Sequence, residues 1–350
     1  MTSDLDLYNF YYPDDLVALN PLAKKNQANM LVFKNNIFSH EKVYDFLKYV
    51  SKDDLLVFNN TRVIPCRLIG KKVSSVQEKI QTKVSVTLNK VLDRNIWTTF
   101  CKPLKKLREG DKIIFSTNLS AEVISFKSGQ CVMNFKTGDR ELLSCLNEIG
   151  DMPLPPYIVK KRGPRKEDFK SYQTPFAKID GSVASPTASL HFPDDFIMSL
   201  KRKNIPYCFI TLHVSGGTFL PIRDKNIDKH KMHSEFAKVD ENAAEQIRRT
   251  LKKGGKVIAI GTTVMRVLES SFFVDNGFQA FNSSVNTFIK PGHKFRVCSG
   301  LFTNFHLPKS TLFILVNAFV GVKKAKELYE SAIKKRYRLF SYGDCCLLFP

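Results

Sequence analysis

Apolar residues occur along the chain in short runs that alternate with longer amphipathic stretches. Four runs are almost wholly apolar, as in buried strands of α/β sheets; they cover residues 30–33, 54–58, 207–212 and 256–260. Helical patterns separate them. Short helices are expected near 13–20 and 42–50, Asp240 can cap a helix that ends at Gly254-Gly255, and Ser310 starts an apolar helix. This order of elements predicts an α/β domain.

A different pattern fills residues 64–150. Its apolar segments are short, partly alternating and separated by Gly-Asp and Ser-Gly pairs; they cover residues 84–88, 95–100, 112–115, 121–126 and 131–135. Such spacing predicts a small antiparallel β-barrel inserted into the larger domain. We therefore predict an α/β domain formed by 1–63 and 151–350, with a barrel domain at 64–150. The proline-rich segment that begins at Pro153 is expected to be stiff and extended and to mark the boundary.

The formal net charge of +21 suggests a polyanionic partner, most simply a nucleic acid. Basic residues are dense at 160–166 and 323–338. Lysine dominates the basic residues, so a lysine-rich proteome would give the same charge without any RNA. Charge alone leaves the two explanations open.

The cysteine pattern and the N-terminal sequence predict a cytoplasmic protein. The eight cysteines include no Cys-x-x-Cys pair, which favours reduced thiols. The first residues are acidic and lack an apolar signal core, and no run of 18 uncharged apolar residues occurs. Export and membrane insertion are therefore not expected.

The segment from Thr211 to Glu235 is the strongest candidate for chemistry. It holds three of the seven histidines, beside Gly216-Gly217 and Glu235. Because His213 follows a predicted buried strand, it would lie at the strand's carboxyl end, where α/β sheets bind ligands. A glycine pair is also common in plain turns, and His-x-x-His-x-Glu is not a standard zinc spacing, so no metal site is predicted.

Three further segments place polar groups where predicted strands end. Arg62 follows the strand at 54–58, Gly261-Thr-Thr263 opens a helix after the strand at 256–260, and Asn304-Phe-His306 ends another strand. Backbone N–H groups and hydroxyls at a strand-to-helix turn suit an anion or a nucleotide. The small residues of 181–192 suit either a close backbone approach to a ligand or a packed helix start, and both interpretations stay open.

Taken in order, these motifs resemble one family, the S-adenosylmethionine:tRNA ribosyltransferase-isomerases, which make the queuosine precursor epoxyqueuosine on tRNA. The resemblance covers nearly the whole chain; its motifs lie at 57–63, 153–157, 181–192, 211–219, 230–235, 261–263, 303–308 and 337–344. It implies a larger α/β domain with a small inserted β-barrel, in agreement with the pattern above.

The resemblance also implies a reaction. The ribosyl moiety of S-adenosylmethionine would be transferred to 7-aminomethyl-7-deazaguanine at the tRNA wobble position and isomerised, with release of adenine and methionine. S-adenosylmethionine would be consumed as a co-substrate, and no cofactor or metal is expected. We expect a monomer whose partners are tRNA and S-adenosylmethionine.

Roles follow from the chemistry of the matching residues. Glu235, His213 and His233 are the candidates for proton transfer, because they are the titratable groups nearest the glycine turn. Arg62 and Arg266 would hold a carboxylate or a phosphate. The S-adenosylmethionine site would be lined by Gly216, Gly217, Thr218, Thr262 and Thr263. The deazaguanine would face Asn304, Phe305 and His306; for Phe305 a place in the core is an equal alternative.

Several positions depart from the family pattern. Asn60 stands where Asp is expected, so a carboxylate role there is in doubt, and Ser215 replaces a glycine. Two other classes remain: an S-adenosylmethionine-dependent RNA methyltransferase, and a non-catalytic RNA-binding protein. The first normally carries a glycine-rich Rossmann turn, which this sequence lacks. A non-catalytic RNA-binding protein would have no role for the clustered histidines and Glu235.

Overall fold

The computed structural model describes residues 3–73, 82–219, 221–222, 224–270, 273–274 and 277–350. It contains a large α/β domain built on a nine-stranded sheet, and a closed six-stranded antiparallel barrel. Both parts of the predicted fold class are confirmed. Within the described residues, no helix is long and apolar enough to span a bilayer.

The strands and helices run as follows. The first part holds β1 (Asn29–Lys34), β2 (Ile37–Lys42), β3 (Leu55–Asn59) and β4 (Thr61–Val63). The barrel is formed by β5 (Arg67–Val73), β6 (Thr82–Asp93), β7 (Ile96–Lys102), β8 (Lys112–Ser116), β9 (Leu119–Lys127) and β10 (Gln130–Lys136), and is followed by α1 (Leu142–Ile149). Next come α2 (Pro156–Arg162), α3 (Asp168–Ser171), β11 (Ile179–Ser182), α4 (Phe196–Arg202), β12 (Tyr207–Leu212), β13 (Glu235–Val239), α5 (Glu241–Lys252) and β14 (Val257–Ile260). The last part holds α6 (Thr262–Leu268), β15 (Phe273–Val274), β16 (Gly277–Phe278), β17 (Phe281–Val285), β18 (Cys298–Asn304), α7 (Thr311–Val320), α8 (Val322–Lys334) and β19 (Cys345–Leu348).

The large sheet has the order β17-β13-β12-β3-β14-β18-β19-β1-β2. Its four central strands run parallel to one another; they are β12, β3, β14 and β18. Every residue of β3 and β14 is buried, because central parallel strands are covered on both faces. This explains why they occur in the sequence as continuous apolar runs.

Two helix starts predicted from capping residues are present. The Asp240 side chain accepts a hydrogen bond from the N–H of Ala243 at 2.8 Å and begins α5. The Ser310 side chain accepts one from the N–H of Phe313 at 3.2 Å and begins α7. Each cap satisfies an N–H that has no partner inside its helix.

Other local expectations were wrong in detail. The helices expected near 13–20 and 42–50 are short 3₁₀ segments at Asp14–Leu16 and Val43–Tyr49. The proline-rich segment is not extended throughout, because α2 begins at Pro156. Proline is well suited to the first helical position, where its missing N–H would have had no partner.

The barrel's two ends lie side by side. Arg67 and Asp151 exchange backbone hydrogen bonds of 3.1 and 2.8 Å at the point where the chain enters and leaves the barrel. Barrel strand β5 was not predicted, because Gly70 interrupts its apolar pattern. A Cβ at Gly70 would stand 2.7 Å from the side chains of Ile113 and Phe115, so the barrel packs tightly against this glycine.

The topology brings the predicted functional segments to one edge of the sheet. His213 follows β12, Gly261 follows β14, and Phe305 follows β18. Since β12, β14 and β18 run in the same direction, their carboxyl ends meet at this edge. Ligands of open α/β sheets bind there.

Candidate active site

Two pockets open at this edge. The first, the cleft, has a volume of about 940 Å³ and lies between the barrel and the α/β domain. Its α/β wall is formed by Asp180, Gly181, His213, Ser215, Ser234, Glu235, Phe236 and Ser284. The second, the inner pocket, has a volume of about 260 Å³ and lies within the α/β domain. Residues of the segment 214–218 line both pockets.

His213 lies in the cleft wall in a fixed orientation. Its Nδ1 forms a 2.7 Å hydrogen bond with the Thr61 hydroxyl, and its ring stacks on Phe236 with centroids 5.5 Å apart. Gly181 lies close to Nε2 of the ring, because a Cβ there would stand 2.9 Å from this atom. Burial lowers the pKa of His213, with the Asp180 carboxylate acting in the opposite direction. A neutral imidazole held in this way can accept a proton.

Glu235 also lines the cleft, but its carboxylate is bound on both oxygens. Oε1 accepts the N–H of Ser215 at 2.8 Å, and Oε2 forms an ion pair with Arg266. Both partners of the ion pair are buried. Nε of Arg266 donates to the Thr287 carbonyl, and Nη2 is buried without a hydrogen-bond partner among the described residues. The expectation that Arg266 also holds a substrate carboxylate or phosphate stays a prediction.

The glycine pair packs against protein rather than presenting a free surface. The N–H of Gly216 donates to Oδ1 of Asn89 in the barrel at 2.9 Å, and its Cα faces the Phe100 ring. Gly217 lies against His233, because a Cβ there would stand 2.7 Å from Cγ of that ring. The sequence predicts that both glycines line the S-adenosylmethionine site and that His233 reaches the reacting atoms. The structure places all three in the packing that shapes the 214–218 segment, and their roles toward a substrate stay predictions.

The inner pocket collects the three predicted threonines. Thr218, Thr262 and Thr263 all line it. In the part of the chain that the structure describes, the hydroxyls of Thr263 and Ser185 are buried there without a hydrogen-bond partner. Buried polar groups are normally paired, so these hydroxyls are suited to bind a polar ligand.

Asn304, Phe305 and His306 also border the inner pocket. Asn304 Oδ1 accepts from the Thr187 hydroxyl at 3.1 Å, and its Nδ2 lies 3.0 Å from Nε2 of His191. Phe305 is only 1% exposed and makes edge contacts with the Tyr329 and Tyr337 rings, so it belongs to the core rather than to a stacking surface.

The imidazole of His306 is held beside the pocket. Its Nε2 lies 2.9 Å from the Thr303 hydroxyl, and its backbone N–H donates to the Tyr329 hydroxyl at 2.9 Å. Burial lowers the pKa of His306 to about 3. The ring is therefore neutral at neutral pH and offers one donor and one acceptor.

Arg62 lies outside the linings of both pockets. Its guanidinium donates to the Ala177 carbonyl at 2.9 Å and stands 3.6 Å from the Asp180 carboxylate, which does line the cleft. The nearby Asn60 accepts the Thr211 hydroxyl on Oδ1 at 2.7 Å. Asn60 thus serves as an acceptor, a role that an Asp at this position would fill equally.

Three residues of the site were missed by the sequence reasoning: Thr61, Asn89 and Asp180. Thr61 lies within the 57–63 motif, so the carboxyl end of β3 was a usable signal. Asn89 lies in the barrel, 127 positions before the glycine that it binds. Its sequence context carries no signal for that contact. Among the described residues, no group of three or more His, Cys, Asp or Glu side chains is placed to hold a metal ion.

Known proteins of one family match the chain over almost its whole length. Residues 5–348 match the model of a family described as queuosine biosynthesis protein. The chain is 42% identical over 346 residues to a Ruegeria pomeroyi protein, and 38% identical over 347 residues to one from Rickettsia bellii. Both are named S-adenosylmethionine:tRNA ribosyltransferase-isomerase, and each comparison covers 98% of both chains.

A solved structure is similar over the same length. The crystal structure of an S-adenosylmethionine tRNA ribosyltransferase from Thermotoga maritima matches 98% of this chain and 100% of its own. The sequence identity is 26% and the TM-score is 0.54. The chain thus belongs to a class of α/β proteins that carry a barrel beside the edge of the large sheet. The chain is a member of the queuosine biosynthesis protein family, the S-adenosylmethionine:tRNA ribosyltransferase-isomerases.

Proposed function

We propose that this protein transfers the ribosyl moiety of S-adenosylmethionine to 7-aminomethyl-7-deazaguanine at the tRNA wobble position and isomerises it. The products are epoxyqueuosine-tRNA, adenine and methionine. The observation that carries the proposal is the near full-length similarity to proteins named for this activity, at 42% identity in one case. The enzyme acts as a cytoplasmic monomer and consumes S-adenosylmethionine as a co-substrate, without a metal or redox cofactor.

The two pockets support a division between the two substrates. Small-molecule sites usually have volumes of about 300–1,000 Å³. The inner pocket is close to the lower limit, and its unpaired Thr263 and Ser185 hydroxyls suit the polar groups of S-adenosylmethionine. The cleft is close to the upper limit and opens between two domains, which suits a nucleotide that remains part of a tRNA.

The arrangement around His213 supports proton transfer. The sulfonium of S-adenosylmethionine acidifies the neighbouring ribose 5′ C–H, so a positioned base can form an ylide that attacks the modified base. With Nδ1 bonded to Thr61, Nε2 of His213 is the nitrogen left to exchange a proton. Glu235 binds the N–H of Ser215 and thereby holds the 214–218 segment between the two substrates. His213 is thus the base and Glu235 the group that fixes the segment.

A product assay tests the function. The protein is mixed with S-adenosylmethionine and tRNA carrying the aminomethyl-deazaguanine, and the small products are separated. We expect adenine and methionine in equal amounts, only when the modified tRNA is present. His213→Gln should abolish both products without loss of fold. S-adenosylhomocysteine as the product would show a methyltransferase, and a folded protein that binds tRNA without turnover would be a binding module.

A further inference from the structure

The barrel wall of the cleft has a composition that the reaction does not explain. One part of it is formed by the hairpin of β6 and β7, which faces the cleft with Asn89, Lys90, Val91, Arg94, Asn95 and Trp97. The other part comes from residues 137–146, in which Asp139 and Glu141 accompany Arg140. Asn89 binds Gly216, and the other five hairpin residues contribute nothing to the chemistry proposed above. Their side chains are basic, apolar, amide and indole.

The tip of this hairpin exposes two adjacent apolar side chains. Val91 is 51% exposed and Leu92 is 53% exposed. Lys90 precedes them and Arg94 follows after Asp93, and all three charged residues are exposed. The Asp93 carboxylate accepts the backbone N–H of Arg94 at 2.7 Å. No salt bridge to Lys90 or Arg94 is formed within the described residues, so both charges are available to a partner. An apolar surface beside two cations that form no salt bridge suits a polyanion that also carries flat apolar groups.

Trp97 is the chain's single tryptophan. Its ring is half-buried, packs partly against the barrel core and lines the cleft. Its indole N–H is buried without an acceptor among the described residues. Aromatic side chains next to basic ones are how proteins bind unpaired bases, because every base has a π face and every nucleotide a phosphate.

We propose that the β6–β7 hairpin binds the single-stranded anticodon loop beside the reacting nucleotide, with Trp97 stacked on a neighbouring base. Lys90 and Arg94 contact phosphates, and Val91 and Leu92 cover the face of a base or ribose. This rests on the proposed function, which brings the anticodon into the cleft. RNA binding by the hairpin is favoured over protein binding, because the hairpin lines the cleft that must admit the nucleotide.

The single tryptophan provides a direct readout. An anticodon stem-loop RNA, with guanine at the wobble position, is titrated into the full-length protein while Trp97 fluorescence is followed. We expect saturable quenching by the stem-loop, and none by a fully base-paired RNA hairpin of the same length. Stem-loop binding without any change in fluorescence would overturn the stacking.

Affinity is measured separately with a fluorescein-labelled stem-loop. Trp97→Ala should weaken binding about ten- to hundredfold, and Trp97→Phe should weaken it less because the ring remains. Val91→Ser/Leu92→Ser changes only exposed positions, so folding is retained, and it should also weaken binding. Lys90→Gln/Arg94→Gln should reduce the slope of log affinity against log salt by about 1.4, at roughly 0.7 per phosphate of a single strand.

A matched control is Lys112→Gln/Lys127→Gln, two exposed lysines on β8 and β9 of the same barrel. Its salt slope should stay at the wild-type value. Equal losses in the control would mean that net charge, not the hairpin, sets affinity. A dimer in sedimentation that Val91→Ser/Leu92→Ser dissociates, with RNA affinity unchanged, would assign the tip to a second copy of the chain. Adenine release is scored in parallel, so a failure of the proposed function is recognised independently of stem-loop binding.

Discussion

Asn89 of the barrel accepts a hydrogen bond from the backbone N–H of Gly216 in the α/β domain, at 2.9 Å. This bond joins the barrel to the segment that separates the two pockets. The same side chain donates from Nδ2 to Oε1 of Gln130 at 2.9 Å, so a second barrel residue fixes its orientation. The barrel therefore helps to set the shape of the site.

Asn89→Ala should lower kcat/KM for modified tRNA about tenfold. The substitution leaves the buried N–H of Gly216 without an acceptor, a cost of roughly 1–3 kcal/mol. Steady-state kinetics and a thermal melt measure the two effects. Gln130→Ala is the matched control, because it removes a barrel hydrogen bond but keeps the acceptor for Gly216. Equal losses in both variants would show that the bond within the barrel alone matters.

Glu235→Gln should lower the free energy of unfolding by about 3–5 kcal/mol, because it leaves the buried Arg266 charge without its partner. Turnover should fall as well, since the 214–218 segment loses its charged anchor. Glu235→Gln/Arg266→Met removes both charges and should recover most of the stability. Denaturant unfolding and single-turnover rates measure the two quantities.

The double variant separates chemistry from packing. Turnover that stays about 10²- to 10⁴-fold down when stability returns would show that Glu235 takes part in proton transfer. Turnover that recovers together with stability would limit Glu235 to positioning.

Gly217→Ala should impair both stability and turnover, because the new methyl would stand 2.7 Å from Cγ of His233 and must displace that ring. In a His233→Ala background the clash is gone, so the same glycine substitution should cost little more. A double-mutant cycle with melting temperatures and rates measures the coupling. Additive effects would contradict direct packing between the two residues.

The free energy of unfolding should decrease as pH falls below about 6.5. Burial, reinforced by Arg338, lowers the pKa of His191 to about 3. The unfolded chain therefore binds a proton between about pH 6.5 and 3 that the folded chain does not bind, and stability present at higher pH is lost across this window. One such group changes stability by up to about 1.4 kcal/mol per pH unit.

His191→Gln tests this pH dependence, because it keeps an acceptor near Asn304 and removes the titration. Denaturant unfolding at pH 7, 6 and 5 should give a shallower loss of stability for the variant than for the wild type. Parallel curves would assign the pH dependence to other groups.

Arg162 should respond differently from its basic neighbours at 160–166. Its guanidinium forms a buried ion pair with Asp168 at 2.6 Å, so Arg162→Gln should lower stability. Lys160 and Lys166 are exposed, and replacing both with Gln should reduce the salt slope of tRNA binding by about 0.7 to 0.9 for each phosphate that is no longer neutralised. An unchanged slope would show that these lysines belong to an ordinary solvated surface and do not contact tRNA.

The features that were predictable from sequence are local ones. The strand at Tyr207–Leu212 and the caps at Asp240 and Ser310 depend on neighbouring residues, whose pattern the sequence displays directly. The edge position of His213 followed from its strand. Thr218, Thr262 and Thr263, which were assigned together to the S-adenosylmethionine site after the family resemblance, all line the inner pocket.

The features that escaped prediction are long-range contacts. The ion pair of Arg266 with Glu235 was not predicted, because a sequence does not show which residues 31 positions apart come into contact. The sequence left open whether Phe305 is a stacking ring or a core residue, because its burial depends on Tyr329 and Tyr337, which come later in the chain. A sequence shows the chemistry of each side chain, but it does not show which distant residue that side chain contacts.

Strand β19 has a consequence for how the protein is made. It lies between β18 and β1 in the sheet, so the hairpin of β1 and β2 joins the sheet only through residues 345–348. During translation this hairpin leaves the ribosome long before β19, and it cannot join the sheet until β19 has emerged. Until then the edges of β1 and β18 are unpaired and open to wrong partners. A nascent chain stalled before residue 345 should therefore need chaperone protection that a chain extended beyond residue 348 does not.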